Sequence, residues 1–442
     1  MASNLRDRLR RIQDIKKIQT NAPAKVPAAV NDARMRLIAD GWSDAGFLTF
    51  KKNFQLTQHI NIPPVFPAAL PVVIPDMPWG AGFDTAGHSI GIEDLLFFDL
   101  ETTGLSGGAG TVAFLAAFGR LVRITAHGKT ATARGKAVSE PGYNLQITQY
   151  LLLDYPGEGD FLAALTPEFT ATASAPRPVV VSFNGKSFDA AILATRCLMN
   201  GIKPPVYLHA DLLHPARRLW KRLLENCSQG TIEEKLLGLD RSDDVSGAMA
   251  PDIWFDFLRT GKTGDLMAIC EHNRRDIRGL ASIFAVMARI ADDPFAAFTS
   301  YPYDTENLAL RWHDCTRRMA VSGWNEKRGE YAALLQTGTE LLEYAAARGG
   351  GRAALVLALL LLRGGSEEKG RKKLAEIASG DLPMQFRISA LRFLAIDSEH
   401  YLSDYATALE YVNRALDLDL SGIQRADFEY RRNRLAGKMG LR

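Results

Sequence analysis

Asp99 and Glu101 stand two residues apart, directly after the apolar run Leu95, Leu96, Phe97 and Phe98. Such a run is expected of a strand buried on both faces. Alternate residues of a strand share a face, so the two carboxylates project together, with about 6 to 7 Å between their Cα atoms. Both can reach one cation, and without one they repel each other. Two acids exposed at a strand end have the same spacing, so the pair alone does not define a site.

Two further elements carry groups of the same kind. In SFNGKSFDAAILATR a strand ending near Phe183 runs into Asn184 and Gly185, and Asp189 falls in the first turn of the following helix, facing the strand ends. A first-turn Asp also complements the helix dipole, worth about 0.3 to 1 kcal/mol, but that use leaves the FNGKSFD string unexplained. In EHNRRDIRGLASIF, His272 and Asp276 are four apart and stack on one helix face. An imidazole beside a carboxylate is general-base geometry, although ordinary surface pairs share the spacing. Several convergent carboxylates plus a base are what a two-metal phosphoryl-transfer site requires, and the three elements together meet that description.

The elements that must position these groups are legible in outline. Three strands, Leu95 to Glu101, Val112 to Val122 and Asn144 to Leu153, suit an antiparallel meander. An alternation follows: a helix from Asp160 to Leu165, a buried strand from Pro178 to Phe183, a helix from Ser187 to Asn200, a short strand from Val206 to His209 and a helix from Asp211 to Leu224. Thr231 with Glu234 reads as a capping box for the next helix, and two more helices cover Asp252 to Leu258 and Gly264 to Ile290. The run SGGAG from Ser106 to Gly110 lacks a following helix and reads as a turn rather than a phosphate nest, with Ser106 a secondary candidate contact. Six prolines between Asn61 and Gly80 exclude regular structure and mark a linker or surface-wrapping arm, after a basic helical start over residues 1–40 and a strand-like stretch from Gly46 to Phe54. Beyond Tyr303 only helices are expected, and Tyr405 to Leu418, with Ala408 and Ala415 seven apart, resembles the second helix of a tetratricopeptide repeat.

Length and composition bound these readings. A chain of 442 residues exceeds what one core of roughly 250 to 300 residues supports. The expected division is a basic, Pro-rich arm over 1–80, an α/β domain over 81–292 and an all-helical domain over 303–442. Net charge is only +3, so a polyanion partner must be argued from local patches. Those patches are Met1 to Thr20, with six Lys/Arg against two Asp; Arg217, Arg218, Lys221 and Arg222; and Arg274, Arg275 and Arg278. Cys197, Cys227, Cys270 and Cys315 are too far apart for paired zinc ligands and read as reduced thiols. The start lacks an apolar signal region, and the longest apolar run, Ala353 to Leu362, falls short of the roughly 18 residues that span a bilayer. A cytoplasmic protein without membrane contact is expected.

At this point the strings become recognisable. FFDLETTGL, FNGKSFDAAIL and HNRRDIRGL resemble the three exonuclease motifs of the DEDD superfamily, whose members share the RNase H-like fold. More narrowly, DLETTGLSGGAGTVAFLAAFGRL and ADLLHPARRLWKRLLENCSQGTIEEKLLGL are similar to the bacterial YprB-type family of RNase H-like, predicted exonucleases with tetratricopeptide-like tails. The resemblance covers about Asp94 to Ala291 and implies an RNase H-like mixed sheet flanked by helices, followed by an all-α tetratricopeptide-like domain. It implies that Asp99, Glu101, Asp189 and Asp276 hold two divalent cations, Mg²⁺ or Mn²⁺, and that His272 orients or deprotonates the attacking water. One departure stands out: that superfamily places histidine five positions before the last Asp or tyrosine four before it, and here histidine stands four before.

The implied activity is 3′ to 5′ hydrolysis of a DNA or RNA strand, with Asn184, Arg217, Arg218, Arg274 and Arg275 as contacts to the nucleic acid and a protein partner for the helical tail. Two other readings use the same residues: an inactive nucleic-acid-binding scaffold, and a structure-selective endonuclease.

Overall fold

The computed structural model describes residues 28–63, 68–77, 91–104, 110–124, 143–170, 178–321 and 328–440. The basic segment Met1 to Thr20 and Ser106 lie outside the described residues. Seven strands form one sheet: β1 (Ser43–Gly46), β2 (Thr49–Ile60), β3 (Leu95–Thr102), β4 (Ala113–Arg123), β5 (Tyr143–Leu152), β6 (Val179–Ser182) and β7 (Leu208–Asp211). Their spatial order is β1, β2, β5, β4, β3, β6, β7. Pairing is antiparallel from β1 through to β3 and parallel from β3 through β6 to β7.

β3 to β6 lie within one residue of the expected spans. β7 is displaced: it runs to Asp211, where a helix start was expected, because its parallel register with β6 continues to the pair Ser182 and Asp211. The sheet also reaches across the boundary expected near residue 80. β2, read only as strand-like, pairs with β5 along most of its length, so the hairpin of β1 and β2 belongs to the α/β unit. The arm between them is not wholly irregular either. Pro71 sits in the first turn of a short helix, α2 (Leu70–Val73), where its missing N–H has no partner to lose. Leu70, Val72, Val73, Ile74 and Met77 are buried there, so this stretch is part of the core rather than a surface wrap.

Helices cover both faces. They are α1 (Ala28–Ala39), α3 (Glu158–Leu165), α4 (Asp189–Met199), α5 (Leu213–Trp220), α6 (Gln229–Leu237), α7 (Ala250–Thr260), α8 (Gly264–Asp292) and α9 (Pro294–Ser300). Alternation along β3 divides its apolar run as expected. Leu95 and Phe97 join the cluster with Ile277, Leu280 and Phe284 of α8. Leu96, Phe98 and Leu100 join Phe118, Phe161, Leu193 and Trp254 on the other side. Asp99 and Glu101 therefore share the face that α8 crosses.

Two glycines let α8 come close. A Cβ at Gly119 of β4 would stand 2.5 Å from Ile277 Cγ2, so only hydrogen there permits the contact. On the far side of α8, Gly279 leaves the space that the Glu233 carboxylate of α6 fills. The start of α6 also differs from the expected capping box: Ser228 is the N-cap, its hydroxyl accepting the Thr231 N–H at 3.3 Å, so the cap lies three residues earlier than Thr231.

The C-terminal part is helical: α10 (Thr305–Val321), α11 (Arg328–Ala347), α12 (Gly351–Arg363), α13 (Glu367–Ser379), α14 (Met384–His400), α15 (Tyr405–Leu416) and α16 (Gly422–Lys438). Each packs on its successor in the chain. Ala408 and Ala415 are fully buried in the second half of this array. The first half shares the sheet's core, with Trp312, Leu341, Ala353 and Leu357 in the same cluster as Phe97 and Phe284. Among the described residues no helix is long and apolar enough to cross a membrane. The four cysteines are free; Cys227 is half-buried and the other three are buried.

Candidate metal centre

The face of β3 toward α8 is built by register. Asp99 lies opposite Ala117 on β4, and Ala117 opposite Gln149 on β5. Residues in one row across a sheet point to one side, and the small Ala117 between two long polar side chains leaves room above it. Asn273 of α8 occupies that place. Its amide donates to Asp99 Oδ2 at 2.7 Å, and its carbonyl oxygen accepts from Gln149 Nε2 at 3.0 Å. Gln149 also donates to the Cys270 carbonyl at 2.7 Å, so a buried polar chain joins β5, α8 and β3.

On either side of Asn273 along α8, His272 and Asp276 approach Glu101. His272 Nε2 is 3.2 Å from Asp276 Oδ2 and 3.9 Å from Glu101 Oε1. One ligand atom from each of the three residues lies within 4.8 Å of the others, which is compact enough for a single ion. Asp189 arrives from the turn after β6. Asn184 adopts a left-handed conformation there (φ 66°), and the backbone N–H groups of Asn184 and Lys186 donate to Asp211 at 2.8 and 3.1 Å. The FNGKS string thus builds the turn that starts α4 at Asp189.

The electrostatics follow from this convergence. The Asp99 and Glu101 carboxyls are both held well above the ordinary carboxylate range, first by burial and then by the charges of Asp276 and Asp189. Asp189 is pushed up to about 7 by burial and by Asp211. Carboxylates so arranged keep protons unless a cation replaces them, because a divalent charge inverts the local balance. The donor set, carboxylate oxygens with one imidazole, fits a hard or borderline divalent ion.

Of the residues expected at the site, Asp99, Glu101, Asp189, His272 and Asp276 come together. Of the expected nucleic-acid contacts, Arg217 and Arg218 stand on α5, whereas Asn184 lies in the turn before Asp189 and Arg274 and Arg275 lie on α8 between His272 and Asp276. Asn184 serves the turn through its backbone. Arg217 and Arg218 are exposed on α5, and neighbouring Arg222 lies 3.3 Å from both Asp304 and Glu306. Arg222 thus ties this patch to the beginning of the helical part, while Arg217, Arg218 and Lys221 stay exposed. Arg274 and Arg275 both pair with Glu271, and Arg274 also lies over the Phe54 ring at 5.1 Å. They line a cavity of about 200 Å³ with Arg241, Arg278, Glu233 and Asp240.

The link between α6 and α7 supplies contacts to Asp276 and His272 that the sequence did not signal. Arg241 donates to Asp276 Oδ1 and to Glu233 Oε2, both at 2.5 Å, and lies 3.2 Å from Asp244. Asp244 in turn stands 2.9 Å from His272 Nδ1. The string DRSDD resembles any solvated polar loop, so its composition carried no signal. Asn273 could have been suspected, since it follows His272 and faces the strand three residues before Asp276.

Residues 96–288 match the family model of the RNase_H superfamily. Over 199 residues the chain is 33% identical to the uncharacterized protein YprB of Bacillus subtilis (strain 168), a span covering 44% of this chain and 42% of that relative. The chain therefore matches less than half of that relative's length. Matched span, sheet order and acidic side chains agree on one conclusion: residues 96–288 carry an RNase H-like domain, in a chain similar over 199 residues to YprB.

Proposed function

We propose that the protein is a divalent-cation-dependent nuclease that hydrolyses phosphodiester bonds of DNA or RNA from the 3′ end. Members of the RNase H-like superfamily are mostly nucleases. The observation that carries the reading here is the state of the carboxylates. Asp99 has one oxygen tied by Asn273 and Asp276 has one tied by Arg241, so each keeps its other oxygen for a cation. Asp99, Glu101, Asp189 and Asp276 would hold two ions, Mg²⁺ or Mn²⁺. When bound, such ions polarise the phosphoryl group and acidify water. The chain's own part is to fix the donors from three separate elements before substrate arrives and to keep them from bulk water. In the reaction water attacks phosphorus and loses a proton; the P–O3′ bond breaks and the 3′-oxygen takes a proton up. The helical C-terminal array is proposed as a tetratricopeptide-like surface for a protein partner.

The test uses purified full-length protein with 5′-labelled single strands of DNA and RNA, with Mn²⁺, Mg²⁺ or chelator. Progressive shortening from the 3′ end, lost in Asp99→Asn and in chelator, is expected. Cleavage of a circular strand would instead favour the endonuclease reading. Absence of metal-dependent cleavage of any strand would leave the scaffold reading.

A further inference from the structure

Asn307 of α10 donates its side-chain amide to the Arg218 carbonyl of α5 at 3.3 Å, and the Asp304 N–H donates to the Leu219 carbonyl at 2.7 Å. The first helix of the C-terminal part is thereby fixed against the RNase H-like domain. Arg311, Cys315 and Arg318 follow Asn307 at intervals of four, four and three residues, so they continue along one face of α10. Arg311 donates from Nε to the Val72 carbonyl at 3.4 Å, a neutral partner. Arg218 and Arg318 are exposed, and among the described residues no carboxylate pairs with any of the three arginines. Burial and the charge of Arg311 hold the Arg218 guanidinium below its ordinary value. Burial raises the Cys315 thiol, and Arg311, Arg318 and Arg218 oppose it, so cations from two helices act on one side chain. Like charges held together repel, and a polyanion relieves them. Two acids border the row: Asp314 is exposed on α10, and Asp76 is taken up by Lys186 at 2.8 Å. Lys186 stands three residues before Asp189, so the basic face begins at the turn that delivers that carboxylate. Among the described residues of α10 no large apolar side chain is exposed. A protein partner anchors on such side chains, whereas phosphates need charge alone.

We propose that Arg218, Arg311 and Arg318 form a binding surface for the sugar–phosphate backbone of a single nucleic-acid strand, so that α10 extends the substrate surface beyond the RNase H-like domain. The identity of the polyanion rests on the nuclease reading of the carboxylate site. Seven residues separate Arg311 from Arg318, about 10 Å along the helix axis, so the two meet different phosphates. Contacts of this kind position a strand and carry no sequence preference. A strand that reaches this face gains affinity without any change at the metal centre.

The experiment is fluorescence anisotropy of labelled oligothymidylate and oligouridylate titrated with the full-length protein in chelator, over a series of salt concentrations. Chelator prevents cleavage, so binding is read whether or not the protein is a nuclease. Arg218→Gln and Arg318→Gln, both at exposed positions, should each weaken binding and lower the slope of log affinity against log salt by about 0.7, and the double variant by about 1.4. Arg318→Lys keeps the charge and should keep the slope; a loss equal to that of Arg318→Gln would overturn a role for charge. Unchanged affinity and slope in the double variant would overturn the proposal, as would equally tight binding of polyglutamate at the same salt. Strand binding that depends on these arginines, in a protein without metal-dependent cleavage, would keep this surface and remove the nuclease reading.

Discussion

Asn273 on α8 donates its side-chain amide to Asp99 Oδ2 at 2.7 Å, across the row in which Ala117 separates Asp99 from Gln149. The bond opposes the burial that raises the Asp99 carboxyl. Asn273→Ala removes that donor and leaves the buried Gln149 amide with one acceptor fewer. Mn²⁺ affinity at pH 7 should fall about tenfold, and the pH at which the ion displaces protons should rise. Calorimetry over a pH series reads both; an unaltered profile would show that Asp99 needs no orienting partner.

The acidic cluster also sets a pH dependence. Asp189 has a folded-state pKa of about 7, above the roughly 3.9 of an unfolded Asp, so the folded chain binds the proton more tightly. Its contribution to stability is present below about pH 4 and is lost as pH rises through about 7. Asp99 and Glu101 are raised as well and act in the same direction. In chelator the melting temperature should therefore drop between pH 5 and pH 8 by less in Asp189→Asn than in the unaltered protein. Mn²⁺ should restore more at pH 8 than at pH 5, because ionised ligands bind it better. Equal pH slopes for the two proteins would contradict the raised Asp189.

Arg241 bridges Glu233, Asp276 and Asp244 from a side chain that is 18% exposed, against 1% for Glu233. Arg241→Met leaves Glu233 buried without its counter-ion, with only the Gln229 amide still donating to it at 2.8 Å, a change that costs about 3 to 5 kcal/mol in such pairs. Urea unfolding monitors the loss, and Glu233→Met placed with Arg241→Met should recover a large part of it. Additive losses in the double variant would remove Arg241 from the role of counter-ion to Glu233.

Close approach of helix to sheet is the last requirement. Gly119→Ala puts a methyl group 2.5 Å from Ile277 Cγ2. Overpacking of this kind costs about 1 to 3 kcal/mol. Because Ile277 follows Asp276, lifting α8 should also weaken Mn²⁺ binding. Adding Ile277→Val should return part of both. Loss of stability with intact ion affinity would mean that α8 holds Asp276 in place without this contact.

Much of the site was legible because its first members are set by local periodicity. A separation of two on a strand fixes Asp99 and Glu101 to one face, and a separation of four on a helix does the same for His272 and Asp276. The continuous apolar run before Asp99 likewise announced a central strand, and β3 occupies that place. The residues that hold these groups in place were not legible, since Asp244 reaches His272 over a separation of 28 residues and Gln149 reaches Asn273 over 124. No local period encodes such pairs.

The same distinction explains the edge of the sheet. Thr49–Ile60 has strand-like residues, but its membership in the sheet depends on pairing with β5, about a hundred residues along the chain, as Phe50 opposite Leu151 shows. Local sequence determined which side chains share a face: the acids of β3, the histidine and Asp of α8, the first-turn Asp189. Tertiary structure alone decided which oxygen of each carboxylate stays free and which nitrogen of His272 faces them. Those choices are made by hydrogen-bond partners that only the folded chain brings within 3 Å.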